Sequence, residues 1–388
     1  MLAAPARLLL SRCCVSALPA DKVRYSERRL EAAHFPPMAA SSPEEESPVG
    51  RMVADPVSLC EWQAWGSSST VPSLVVDVID DLRDLERDLD AHMNFGGHGG
   101  KLRGPLKIPE DKKRRTLFQS LTDSEQKIQY FAARQIAHRM LGSRGYLCQR
   151  CWLAKEDCMC SRVVPCSLWN GIRFWLYMHP KDFLRQNNTG KLLWQLFGTQ
   201  SVSLCIFGIH EHEEMMWDAF RSSGKEKIWF LYPSKSAAPK LVQDIFFNSS
   251  YSNLDGQMTD SKDQPLNFVL IDGTWSNSAA MYRRLKDQWM TLWEEEEPPS
   301  ISIATSNVSV MHKLRPQPSW DRTCTAAAAA GLLSELHHFH PELCEHSLDK
   351  QAEAVEDTLE VLLDALTKRR LRKGRSITRK ERKMVSLR

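Results

Sequence analysis

No run of apolar residues approaches the roughly eighteen that a membrane-spanning helix needs, which excludes a transmembrane helix and predicts no membrane partner. No internal repeat is visible, which sets aside the solenoid and propeller architectures. The cysteines lack the even-numbered spacing of a disulfide framework. There are eleven, and those outside one cluster are scattered. That pattern points to a reducing compartment and a single metal site. Net charge is also small, +3 over 388 residues, so bulk composition names no polyanionic partner. What is present, 42% apolar and 26% charged residues, is the composition of a globular chain long enough to bury a sizeable core in one large domain or two ordinary ones.

The distribution along the chain is more informative. Residues 1–70 are rich in Ala, Ser, Pro and Glu and are expected to be disordered. The first twenty carry Arg7 and Arg12 and no acid before Asp21, which resembles an organellar transit peptide. The apolar run is too short and too broken for a secretory signal. The address stays open: plastid or mitochondrion if residues 1–37 are a transit peptide, cytosol or nucleus if Met38 is the working start. In 74–93, Val75, Val78, Ile79, Leu82, Leu85 and Leu89 recur at helical spacing, predicting an isolated amphipathic helix. The Gly-, Pro- and Lys-rich 94–120 reads as a linker, and its GGHGG is a weak phosphate-loop candidate. Thr122–Glu125 forms a capping box that opens a helix to about Leu141. At the other end, 347–388 reads as a helix followed by a basic tail. Residues 368–383 carry ten Lys or Arg against Glu381 alone. This is a nucleic-acid-binding arm, an import signal, or simply cations that complement a helix macrodipole.

Between them, 121–345 alternates. Ile172–Met178, Ser203–Ile209, Ile228–Tyr232, Phe268–Asp272 and Ile301–Ala304 are short apolar runs separated by helical stretches. Strands alternating with helices predict an α/β fold with a mostly parallel sheet flanked by helices. Ligands in such sheets bind beyond the carboxyl ends of the strands. His179-Pro180, Pro233-Ser234 and Asp272-Gly273 stand at those ends. A small module at 146–166 precedes the first run. YLCQRCWLAKEDCMCSR places Cys148, Cys151, Cys158 and Cys160 in a C-x2-C-x6-C-x-C pattern, the spacing of a tetrahedral zinc site. Four protein thiolates leave no open position, so the zinc is expected to be structural. Cys166 is near enough in sequence to be a spare ligand.

Four stretches stand out at the strand ends: YMHPKDFLRQNNTGKLL (177–193), WFLYPSKSA (229–237), LIDGTWSNSAAMYRR (270–284) and KLRPQPSWDRTCTAAAAAGLL (313–333). In this order, after the cysteine pairs, they resemble the DTW-domain family, named for its D-x-T-W motif. The resemblance covers about residues 146–340. It implies a SPOUT-like fold, a superfamily among the rare knotted exceptions to unthreaded topology. It also implies a tRNA-uridine aminocarboxypropyltransferase. Such an enzyme moves the 3-amino-3-carboxypropyl group of S-adenosylmethionine to N3 of a uridine in tRNA, giving acp3U and 5′-methylthioadenosine.

That chemistry assigns expectations to residues. The uridine N3–H must lose a proton, and Asp272 is the candidate base; the bland reading is a helix cap or an Asx turn. Trp275 offers a stacking face, unless it is core packing, and Thr274 helps to shape the pocket. Pro233, Ser234, Gly273 and Leu314 are candidates to hold S-adenosylmethionine through backbone groups. Asn188, Thr189 and Gly190, Arg315, and the helix start at Thr325 are candidates for its carboxylate, with an ordinary helix cap as the alternative at 188–190. Arg185, Arg283 and Arg284 are candidate RNA contacts, and Arg185 is also a candidate for the carboxylate. His179 is expected to be hydrogen-bonded structure. Three rival functions remain: an RNA methyltransferase of the same superfamily, an rRNA aminocarboxypropyltransferase, and a non-catalytic zinc-ribbon RNA-binding protein.

Overall fold

The computed structural model describes residues 57–96, 100–232, 240–247, 264–295, 297–304, 309–314 and 322–376. Residues 1–56, the end of the basic tail, and Pro233, Ser234 and Arg315 lie outside this set, as does the transit-peptide reading.

Order begins earlier than composition implies. Helix α1 (Leu59–Ala64) is capped by the Ser58 hydroxyl and buries Trp62 completely. Glu61 on the same turn receives two hydrogen bonds from Arg144, at 2.8 and 2.7 Å. The 74–93 segment forms α2 (Ser73–Asp88). It is not isolated, because Val75, Val78, Ile79 and Leu82 are buried and the helix packs on α4 (Ser124–Leu141). The linker reading of 94–120 is wrong. Strands β1 (Asn94–Gly96) and β2 (Lys101–Arg103) form an antiparallel hairpin, and α3 (Lys107–Ser120) follows. Most of GGHGG, residues 97–99, lies outside the described residues, so its phosphate-loop reading does too; Gly96 ends β1 and Gly100 precedes β2. Composition misled because α3 is short of apolar residues. It is anchored instead by Leu106 at its start and by Glu110, whose carboxylate receives Arg134 Nε and Nη2 at 2.6 and 2.7 Å. Helix α4 is capped by Asp123, whose carboxylate accepts the Glu125 N–H at 3.0 Å, and not by Thr122.

The remaining strands form one sheet: β3 (Ile172–Met178), β4 (Val202–Ile206), β5 (Ile228–Leu231), β6 (Lys240–Leu241), β7 (Leu266–Asp272) and β8 (Ser300–Ser302). Their order is β4-β3-β7-β5-β8-β6, and every pairing is parallel. Parallel strands need covered faces, which explains runs as apolar as IRFWLYM. Side chains alternate across such a strand. Phe174, Leu176 and Met178 enter one core with α4, α5 (Lys191–Phe197), α9 (Thr325–Phe339) and α10 (Leu348–Arg372). Trp175 and Tyr177 enter the other with α6 (His210–Ser223) and α8 (Trp275–Trp293). The short α7 (Asp244–Phe247) follows β6. The fold is α/β, a mostly parallel sheet flanked by helices, with the cysteine module attached.

Candidate active site and metal centre

Central strands β3 and β7 run in register, Met178 beside Asp272, so their carboxyl ends finish together. The His179 N–H donates to the Asp272 carbonyl at 2.9 Å. Asp272 is 6% exposed, at the floor of a cleft. Its Oδ2 accepts from Asn188 Nδ2 at 2.5 Å and its Oδ1 accepts from the Thr325 hydroxyl at 2.9 Å. Two donors suit an ionised carboxylate, which can only accept. The cap reading of Asp272 fails, since the residue at the N-cap of α8 is Thr274.

Asn188 does two jobs. While its amide nitrogen holds Asp272, its Oδ1 accepts the Lys191 N–H at 2.9 Å and so caps α5. The 188–190 turn is thus closed by its own side chain and does not present that amide to an anion. Gly190 is needed for space: a Cβ there would sit 2.5 Å from Asp272 Oδ2 and 2.6 Å from Leu176 Cδ1. Gly273 is a milder case, since a Cβ there would meet Met281 Sδ at 3.1 Å.

Around Asp272 the cleft is lined by Asn188 and Thr189, by Gly273, Trp275 and Ser278, by Tyr232 after β5, by Thr323–Thr325 at the start of α9, and by Asp182 and Arg185. Trp275 is half-buried at the first position of α8, and the Arg322 guanidinium lies over its ring at 4.5 Å. It is a wall residue and not core. Tyr232 stacks on Tyr282 with centroids 4.4 Å apart. Arg185 donates to Asp182 at 2.6 Å while its side chain stays 38% exposed.

The fold thus gathers Asp272, Gly273, Trp275, Asn188, Thr189, Thr325 and Arg185, with Gly190 packed beneath the carboxylate. Others do not join them. The Thr274 hydroxyl shares a hydrogen bond with Ser276 at 2.9 Å, and its carbonyl accepts two N–H groups of the first turn of α8, so it shapes the turn. Leu314 is buried in the core beside a neighbouring groove. Arg283 is exposed on α8 and does not line the cleft. Arg284 is withdrawn from any RNA role: it bonds Glu125 and Glu213, and Glu213 also accepts the Tyr177 hydroxyl at 2.6 Å. Burial disfavours the Arg284 charge, but these bonds outweigh it and hold the guanidinium firmly protonated. His179 is structural. Its Nδ1 accepts the Lys181 N–H at 3.1 Å, its ring stacks on Phe207, and burial pushes its pKa down to about 4. Sequence reasoning missed Tyr232 and Arg322, although both fall inside the quoted stretches. A lone aromatic or arginine carries no mark of what it will face.

The cysteine module folds as a tight knuckle. The Cys148 N–H donates to Leu153 O at 2.8 Å, the Trp152 N–H to Cys148 O at 2.9 Å, and Trp152 takes a positive φ of 57°. The Sγ atoms of Cys148, Cys151, Cys158 and Cys160 all lie within 4.8 Å of one another, with close pairs at 3.5, 3.6 and 3.8 Å. Sulfurs about 2.3 Å from a tetrahedral zinc would be about 3.8 Å apart, so the four residues fit the ion. Hydrogen bonding from Cys160 drives Cys151 down to about 4, and the same contact drives Cys160 up. With all four deprotonated, sulfurs this close would need a cation between them. Cys166 stands aside, its thiol directed at Ser167 O.

The module is bolted to the cleft through α5. Gln195 Nε2 donates to Arg150 O at 2.6 Å. Lys191, fully buried, donates to Gln186 O at 2.7 Å and lies over the Trp152 ring. Burial lowers the Lys191 pKa to about 7, while the cysteine thiolates and Asp272 pull it back up. From the far side, Arg372 on α10 holds Asp157 at 2.7 Å.

No solved structure matches the chain. The family pattern of the DTW domain matches residues 145–371, which is more than half of the chain and spans the cysteine module, the sheet, the cleft and almost all of α10. The chain belongs to the DTW-domain family, which is consistent with a tRNA-modifying enzyme.

Proposed function

We propose that this protein transfers the 3-amino-3-carboxypropyl group of S-adenosylmethionine to N3 of a uridine in tRNA. The observation that carries the reading is the buried Asp272 carboxylate, oriented by Asn188 and Thr325 at the floor of an open cleft in a chain of this family. S-adenosylmethionine supplies an electrophilic Cγ next to its sulfonium. Asp272 takes the N3 proton of the uridine as N3 bonds to that carbon. The S–Cγ bond breaks, its electron pair stays on sulfur, and neutral 5′-methylthioadenosine leaves. General-base help of this kind contributes about 10²–10⁴-fold.

The other lining residues answer the remaining demands. Trp275 and Tyr232 offer π-faces for the uridine and the adenine. The α9 start at Thr323–Thr325, with Arg322 and Arg185 nearby, supplies amides and cations for the amino acid carboxylate. The four cysteines hold a structural zinc that stiffens the wall behind α5. Incubating purified protein with S-adenosylmethionine and tRNA, then digesting to nucleosides for mass spectrometry, tests the reading. acp3U together with 5′-methylthioadenosine supports it. Adenosylhomocysteine with a methylated base would sink it in favour of methyl transfer, and acp3U appearing in ribosomal RNA alone would change the substrate.

A further inference from the structure

A second, larger groove adjoins the cleft and shares Arg185, Asn187 and Met311 with it. Its walls come from parts of the chain far apart in sequence: the β1–β2 hairpin and the start of α3, the faces of α4 around Arg134–Arg139, Lys181 after β3, and the carboxyl end of α10. Eleven of its lining residues are Lys or Arg, and two, Glu110 and Asp111, are acids. Both acids already face cations, Glu110 bonding Arg134 and Asp111 lying 3.5 Å from Arg114. Among the described residues no carboxylate pairs with Lys101, Arg103, Lys107, Lys181, Lys373 or Arg375.

The local structure explains why these charges point outward. In β2, Leu102 is buried, so Lys101 and Arg103 on either side of it face solvent together. At the end of α10, Arg370 and the C-cap residue Lys373 are three residues apart, one helical turn. A concave channel with cations on both walls accumulates positive potential, because the low-dielectric walls focus it. Its complement is a flexible polyanion that can lie along the channel.

We infer that this groove binds the phosphodiester backbone of an RNA strand and leads one of its bases into the Asp272 cleft. The assignment of the cleft to a base rests on the reading given under Proposed function. The hairpin and α3, at 94–120, precede the region that matches the DTW domain, so part of the RNA-binding surface is an addition to that domain. The end of α10 supplies the opposite wall, which gives the first part of the basic tail a role as the lip of a groove.

The test measures binding of unfractionated tRNA to the full-length protein by fluorescence anisotropy across a potassium chloride series. One variant removes the hairpin wall (K101Q/R103Q/K107Q) and another the opposite wall (K373Q/R375Q). All five positions are exposed, so the melting temperature should hold. Each lost phosphate contact lowers the log–log salt slope by about 0.7–0.9. The expected result is a slope smaller by about 2–3 for the first variant and by about 1–2 for the second, with affinity down more than tenfold in the first. Unchanged affinity and slope in either variant overturns the two-walled groove. Residue-dependent binding of phosphatidylserine vesicles with tRNA binding intact overturns it too, in favour of a membrane surface. This readout is separate from catalysis: if the wild type binds tRNA through these residues but forms no acp3U, the groove stands and the proposed reaction falls.

Discussion

Gly190 adopts φ −57° and ψ −35°, a conformation open to any residue, yet a side chain there would force its neighbours to move. The reason is Asp272, whose carboxylate occupies the space a side chain would need. Gly190→Ala should push that carboxylate off its bonds to Asn188 and Thr325 and lower the proposed acp3U formation by about a hundredfold, the scale of a misplacement near 1 Å. A steady-state assay of 5′-methylthioadenosine release checks it. Asp272→Asn keeps the shape but cannot take a proton, and is expected to lose about 10²–10⁴-fold while melting like the wild type. Near-wild-type turnover would remove the base from the mechanism. Arg284→Leu tests the opposite kind of residue. It leaves Glu213 buried without its cation, so stability should fall by about 3–5 kcal/mol by chemical denaturation, with tRNA affinity per folded molecule unchanged. Arg283 and Arg284 are neighbours in sequence, and only the packing of α8 on α4 and α6 separates a solvent-facing cation from a buried anchor.

At the scale of elements, the cysteine knuckle, α5 and β7 act as one mechanical unit. The knuckle holds α5 through Gln195 and Trp152, α5 is capped by Asn188, and Asn188 holds Asp272. Removing the zinc proposed for the four cysteines should therefore reach the cleft. A strong chelator is expected to extract one equivalent of zinc, lower the melting temperature and abolish turnover together, because metal-binding energy in such knuckles is folding energy. Cys158→Ser should reproduce the effect at lower zinc occupancy. Zinc loss with turnover and melting unchanged would sever the knuckle from the site. Five of the six sheet strands were legible to within a residue or two at most ends, because a strand covered on both faces must be apolar throughout; the two-residue β6 (Lys240–Leu241) was too short to leave a pattern. The hairpin and α3 were not, because their few anchors, Leu102, Leu106 and Glu110, are diluted by lysine and glycine. Nothing in the local sequence tells that Glu110 will meet Arg134.

Over the whole molecule, buried neutral histidines set an acid limit. His212 is fully buried, its Nδ1 accepting the Ile206 N–H at 3.0 Å and its Nε2 sharing a bond with Ser69 at 2.6 Å. Burial lowers its pKa from 6.5 to about 3, and burial likewise lowers that of His138 to about 3. Below pH 6.5 the unfolded chain binds protons that the folded one refuses, so stability is lost as pH falls from about 6.5 toward 3. For His212 alone the loss at pH 5 is about 2 kcal/mol. Urea midpoints at pH 7 and pH 5 should differ in this direction, and less so in H212Q whatever its absolute stability. An equal pH dependence in both proteins would exclude His212 as a source.

By itself the sequence determined the strand-and-helix alternation, the four-thiol knuckle, the family and the carboxylate at the end of β7. These follow from periodicity, spacing and short motifs, which are local properties of a chain. Tertiary structure decided which partner each polar side chain meets. It gave Asp272 to Asn188 and Thr325, 84 and 53 residues away, and placed Arg322 over Trp275. It tied Arg284 into a buried ion network and brought a hairpin near residue 100 into the same groove as the end of α10. Such pairings depend on how helices stack across a sheet, where the free energy lies in burying charge only beside its complement. No window of sequence contains both halves of that condition.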